Sequence, residues 1–226
     1  MTCNAISIAV LCAAVCTFSA AFAEGSIQAG EAETAFNFKE TKNGVSRLIT
    51  ELVKPSGDGL LISSEQYRII SDRDFNARTL SYHDGKLGIE ANYKEGELSI
   101  EVTKGGTTKT SSVKPATAHW AQEQFLYLER FAMSPAQKDS FFSVRLDNAG
   151  VYDFDASKIG VETIAVDGKE VRALHVRMNL QGLMAMFWKA DLWFDSATGR
   201  FLRYSAPSSA KGDIMVVESL RGEAAQ

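Results

Sequence analysis

Imidazole is the side chain best suited to move protons or hold a metal near neutral pH, and this 226-residue chain has three: His83, His119 and His175. Their spacing points to neither role. No pair follows H-x-H, H-x-x-x-H or H-E-x-x-H, the patterns that aim two ring nitrogens at one zinc ion. His83 falls in the turn Tyr82-His83-Asp84-Gly85, where solvent is its expected neighbour. His119 falls in the first turn of an expected helix, and His175 lies mid-strand on the face of Ala173 and Arg177. Asp72-x-Asp74-x-Asn76 imitates the opening of a calcium loop. It fails at Ala77, where that loop needs glycine, and at His83, where it needs a bidentate glutamate. Asp153 and Asp155 share a strand face near Asp147 and Asn148 and read as a solvated sheet edge. A G-x-S-x-G elbow, a P-loop and a G-x-G-x-x-G fingerprint are all missing from the sequence. Paired carboxylates meet in space, not in sequence, so they stay open at this stage. No catalytic residue, metal site or cofactor is read, and a non-enzymatic role is expected.

Thiol chemistry is excluded by position. Cys3, Cys12 and Cys16 all lie in residues 1–23, a segment without a charged side chain that ends in Ala21-Phe22-Ala23. A short apolar run closed by A-x-A reads as a secretory signal peptide cleaved before Glu24. Leu11 and Val15, which precede Cys12 and Cys16, are larger than the residue a lipidation site places there. The expected location is therefore the periplasm or, alternatively, the extracellular medium, and residues 24–226 contain no disulfide. The whole formal charge of −4 falls in that part, since the leader contributes none. Mild acidity with scattered Lys and Arg argues against nucleic acid as a partner. No later run approaches the roughly 20 apolar residues of a transmembrane helix. Residues 24–226 are expected to form one monomeric β-rich domain with disordered tails at 24–32 and 221–226.

The elements that must position any site are mostly strands. Asn43-Gly44, Asp58-Gly59, Asp84-Gly85, Glu95-Gly96, Gly105-Gly106, Asp167-Gly168 and Thr198-Gly199 punctuate short apolar runs, the signature of antiparallel hairpins. The runs are 35–41, 45–54, 60–70, 78–82, 86–93, 97–103, 107–113, 141–146, 151–154, 162–166 and 169–180. Leu87, Ile89, Ala91 and Tyr93 share one face, answered across the turn by Leu98, Ile100 and Val102. One helix is predicted over 118–133, between Pro115 and Pro135, with Thr117 as its N-cap. Trp120, Phe125, Leu128, Phe131 and Ala132 give it a broad apolar surface that must cover something. A meander then runs from Gln181 to Glu218. Met184, Met186, Trp188, Leu192 and Phe194 share the dry face of its first strand with Ala190, and Trp193 points the other way.

A central helix among strands, Gly160-x-Glu162-x-Ile164-x-Val166-Asp167-Gly168-Lys169, Leu192-Trp193-Phe194-Asp195 and Thr198-Gly199-Arg200-Phe201-Leu202 together resemble the DUF3108-like family of exported bacterial proteins. More loosely, they look like the periplasmic lipoprotein carriers of the LolA and LolB type. The resemblance implies a curved antiparallel sheet or incomplete β-barrel with the helix on its concave side. The DUF3108-like family implies no established activity; the carriers imply a recess for acyl chains, to which no single residue here is matched. Two expectations follow, ranked ahead of a third, an undescribed hydrolase. One is binding of a lipid or other apolar ligand, lined by Trp120, Phe125, Phe131, Met184, Met186, Trp188, Leu192 and Phe194. The other is a structural or protein-interaction module of the cell envelope, its interior filled by the same residues.

Overall fold

The computed structural model describes residues 33–182, 188–208 and 213–220. The expected leader, both expected tails, and Met184 and Met186 lie outside the described residues. The first half is a run of eight strands: β1 (Thr34–Lys42), β2 (Val45–Ser56), β3 (Gly59–Ser63), β4 (Tyr67–Ser71), β5 (Ala77–His83), β6 (Leu87–Lys94), β7 (Glu97–Lys104) and β8 (Thr107–Val113). Helix α1 (Gln124–Met133) follows, then β9 (Lys138–Val144), β10 (Val151–Val166), β11 (Lys169–Leu180), β12 (Lys189–Asp195), β13 (Phe201–Pro207) and β14 (Ile214–Ser219). Turn chemistry explains the hairpins. Asn43 and Gly44 take φ of 52° and 76°, and Asp167 and Gly168 take 49° and 73°, as two-residue turns between twisted strands require.

All fourteen described strands form one antiparallel sheet in the order β8-β7-β6-β5-β4-β3-β2-β1-β14-β13-β12-β11-β10-β9. Consecutive strands thus pair, except β8 and β9, which form the two edges, and the β1–β14 contact joins the two halves. The sheet curves without closing by strand pairing. The extended segment that precedes α1 spans the gap. The Phe142 amide donates to the His119 carbonyl at 2.8 Å, the Ala121 amide to the Phe142 carbonyl at 2.9 Å, and the Ala77 amide to the Trp120 carbonyl at 2.8 Å. This segment ties β9 to the start of β5, and Tyr93 of β6 meets Phe142 edge-on at 5.1 Å. Strand β8, at the far edge, is exposed along its whole length.

Four sequence expectations change. The helix begins at Gln124, not Ala118, because residues 119–121 bond to β9 and Ala77 instead of to the next turn. Thr117 is therefore no cap; the cap position belongs to Glu123. The run 60–70 is two strands, since Leu60 and Ile62 are buried before the turn but Tyr67 and Ile69 after it. A strand keeps one parity on its inner face, so that switch from even to odd requires a break. The runs 151–154 and 162–166 are one strand, β10, carried through by pairing with β9 and β11 and bent by a bulge between Lys158 and Gly160. The first strand of the meander is described only from Lys189, with the buried Trp188 just before it.

The inner face holds the core. Phe38, Val53, Ile62, Ile69, Leu80, Ile89 and Ile100 come from the first half, and Val176, Met178, Leu192, Phe194 and Tyr204 from the second. The expected face of Leu87, Ile89 and Ala91 is buried, and its partners Leu98 and Ile100 are too. A smaller apolar cluster lies on the outside. There the tip of the β10–β11 hairpin, through Val166, Ala173, Ile164 and Val171, packs on Leu202 and Trp193.

Candidate functional site

Helix α1 lies over the inner face, so the candidate site is the concave interior beneath it. Phe125 reaches down from the helix and stacks on Phe201, with ring centroids 4.3 Å apart and planes 12° from parallel. Phe38 and Tyr204 flank it at 5.8 and 5.5 Å, and Phe194 meets Phe201 edge-on at 6.0 Å. Phe125 itself is only half-buried. A second aromatic file runs from Tyr127 of the helix through Phe141 and Phe154 to Trp188, at successive distances of 5.4, 5.6 and 5.7 Å. Aromatic pairs at such spacings add about 0.5–1.5 kcal/mol each beyond the area they bury.

The structure thus brings Phe125, Phe194, Leu192, Phe131 and Trp188 to the buried interior around α1. Trp120 is buried too, but off the helix. It stacks on Phe142 at 5.8 Å and donates its indole N–H to Gln122 Oε1 at 2.9 Å. Gln122 in turn bonds both the carbonyl and the amide of Val144. Trp120 therefore belongs to the seam that joins β9 to β5. Trp188 and Trp193 face opposite sides, as the alternation requires.

Sequence reasoning missed the polar part of this interior. Glu51 of β2, Tyr67 of β4 and Glu123 at the start of α1 are all buried and in mutual contact. The Tyr67 hydroxyl donates to Glu51 Oε1 at 2.7 Å. Glu123 lies against the same hydroxyl, and a hydroxyl has one hydrogen, so it donates to one of the two carboxyls at a time. Burial above all, and then the charge of Glu51, pushes the Glu123 carboxyl well above the usual carboxylate range. Burial raises Glu51 too, against the hydrogen bonds from Tyr67 and Glu123. An acid at a helix start ordinarily caps the free amides; the Glu123 side chain caps none. The available signal was the register of β2: Glu51 falls between Ile49 and Val53, in phase with the buried face.

A third acid holds the other end of the helix. Glu129 Oε1 accepts the Phe201 amide at 2.8 Å, and burial lifts its carboxyl to about 7 against that bond and the nearby Arg200 charge. At the rim, His119 Nδ1 lies 2.8 Å from the Tyr127 hydroxyl, which donates to Asp139 at 2.9 Å. On the outer face His175 stacks on Trp193 and lies between Asp191 at 2.7 Å and Glu162 at 3.4 Å. Arg177 donates to the same Asp191 oxygen. These ion pairs fasten the β10–β11 hairpin to β12. The calcium-like run is occupied by its own loop, since Asp72 accepts the amides of Asp74 and Asn76 and the Asn76 side chain. His83 lies in an open groove of about 540 Å³ between the tips of the β5–β6 and β7–β8 hairpins, lined by Lys86, Lys104 and turn glycines. None of the expected apolar lining residues borders that groove.

No protein-family model and no curated protein matches the chain. Solved structures do resemble it. A β-barrel-like protein of the DUF1849 domain from Brucella abortus superposes with a TM-score of 0.55 at 9% identity, covering 84% of this chain and 95% of that one. That likeness fixes the fold: a curved, barrel-like antiparallel sheet with a helix. The hypothetical lipoprotein YmcC from Escherichia coli aligns at a TM-score of 0.36 and 10% identity, over 83% of this chain and 84% of its own. A LolA-superfamily protein from Nitrosomonas europaea aligns at 0.25 and 7%, over 84% and 83%.

Proposed function

We propose that this chain is an exported, non-enzymatic protein of the bacterial envelope that holds an apolar ligand, a lipid or acyl chain, against its concave sheet. The leader at 1–23 directs export, and residues 24–226 act as one monomeric domain. The observation that carries this reading is the half-buried Phe125. It is the part of the α1–sheet contact where a large apolar side chain is still reached by solvent and an aromatic wall of Phe38, Phe201 and Tyr204 stands behind it. An acyl chain entering there would meet aromatic faces and no formal charge of the wall itself. Phe125, Phe131, Trp188, Leu192 and Phe194 are the lining, with Met184 and Met186 as adaptable members contributed by the sequence before β12. The sequence resemblance to lipoprotein carriers agrees with an acyl-chain recess, and that to DUF3108-like proteins bears on export alone.

The test is native mass spectrometry of protein exported and purified without detergent, followed by solvent extraction. A mass excess that extracts as lipid, and that falls in Phe125→Ala, is the expected result. A bare polypeptide of the mass starting at Glu24 would overturn the carrier reading. It would favour the second one, protein interaction by strand addition at β8, which the exposure of both faces of that edge strand supports.

A further inference from the structure

Helix α1 is joined to the sheet through groups that titrate. Its first turn meets β2 and β4 through Glu123, Glu51 and Tyr67, and no lysine, arginine or histidine is among the groups acting on either carboxyl. Glu51 Oε2 and Glu123 Oε1 are buried, and neither finds a donor among the described side chains and amides. Two carboxylates in contact without a cation repel; one carboxylic acid and one carboxylate attract, because the acid supplies the missing donor.

We infer that the Glu51–Glu123 pair, with Tyr67, is a proton-held latch that keeps the start of α1 on the concave face and releases it when the pair loses its last proton. Three features of the geometry support this. The two acids sit on separate elements, so repulsion between them acts across the helix–sheet contact and not within one strand. Tyr67 can satisfy only one of them as a donor. Glu123 caps no amide, so its side chain serves this contact and not the helix end. The upstream segment stays fixed, because Trp120 and Gln122 bond β9, and Glu129 holds the later turns to Phe201; release therefore loosens the first turn of α1 and uncovers Phe125 and the wall behind it. The direction of the burial effect on both carboxyls agrees: proton loss is resisted to a pH above the usual carboxylate range, and then costs the contact. This inference rests on the concave interior being the ligand site only for its purpose, not for its mechanism.

The experiment is hydrogen exchange of the Tyr127 amide, whose bond to the Glu123 carbonyl is the first of the helix. It is followed from about pH 4 to pH 9 and corrected for the chemical exchange rate, with each unit of titration giving up to about a tenfold change in opening. Glu129→Gln is the background, since Glu129 titrates on the same helix. Protection in that background should fall by about tenfold or more across the range, and in Glu51→Gln/Glu123→Gln it should stay flat within about twofold. A step that survives in the double variant, or no step in the background protein, overturns the latch. Should the double variant not fold, Glu123→Gln alone takes its place with the same two outcomes. Uptake of a fluorescent fatty acid is measured alongside. Opening without uptake supports the latch and removes the carrier reading; uptake that rises with opening supports both.

Discussion

Glu129 sets the pH dependence of the other end of the helix, and its size follows from the structure. Its carboxyl is mostly buried under the turn that leads into β13, and burial raises it from 4.5 to about 7. The unfolded chain ionises near the lower value, the folded chain near the higher. Below pH 4.5 both states are protonated and the contribution is fully present. As pH rises through about 7 the folded protein must bear a buried charge, and the contribution is lost. One unit of difference is worth 1.36 kcal/mol, so the loss is about 3 kcal/mol. Glu129→Gln keeps an oxygen to accept the Phe201 amide and removes the proton equilibrium. Urea unfolding at pH 5 and at pH 8 should therefore show a pH effect smaller by about 2.5 kcal/mol in the variant than in the parent, since part of the contribution is already lost at pH 5. Comparing the two proteins matters because Glu51 and Glu123 shift stability in the same direction. Equal pH effects in parent and variant would refute the assignment of this titration to Glu129.

Two further substitutions probe the frame around the site. Gly199→Ala adds a Cβ 2.3 Å from Met133 Cγ and 3.1 Å from the Glu129 carbonyl, at a φ of +72°. The left-handed backbone alone costs roughly 1–2 kcal/mol, so the urea midpoint should fall and α1 amides should lose protection. Trp120→Ala empties a fully buried indole site in the seam between β9 and β5. A loss of about 3–5 kcal/mol is expected in denaturant unfolding, against well under half of that for the half-buried Phe125→Ala.

Strand by strand, the sequence carried most of the fold. Alternation in Leu87–Tyr93 and Leu98–Val102 identifies a sheet with one wet face, because burial with period two needs no knowledge of the partner. The turn dipeptides fix where the chain reverses, since only certain residues tolerate their backbone angles. The same local rules expected Phe125, Phe131, Leu192 and Phe194 to be inside. Those rules stop where a residue's partner is distant. Residues 118–123 have helical composition but stay out of the helix, because edge bonds from 119–121 to Phe142 and Ala77 compete with helical ones and win. The run 60–70 hid a turn that only the switch in buried parity reveals.

The acid cluster shows the same division. Glu51 is legible as an acid in the buried phase of a strand, yet nothing in the sequence says that Glu123, seventy-two positions on, meets it. Alternation and turn chemistry are nearest-neighbour physics, and they determined the strands, their faces and the apolar interior. Which strand faces which across that interior is settled by curvature summed over fourteen strands. For that reason only the tertiary structure could bring two carboxyls together, bury them without a cation and make one proton the link between helix and sheet.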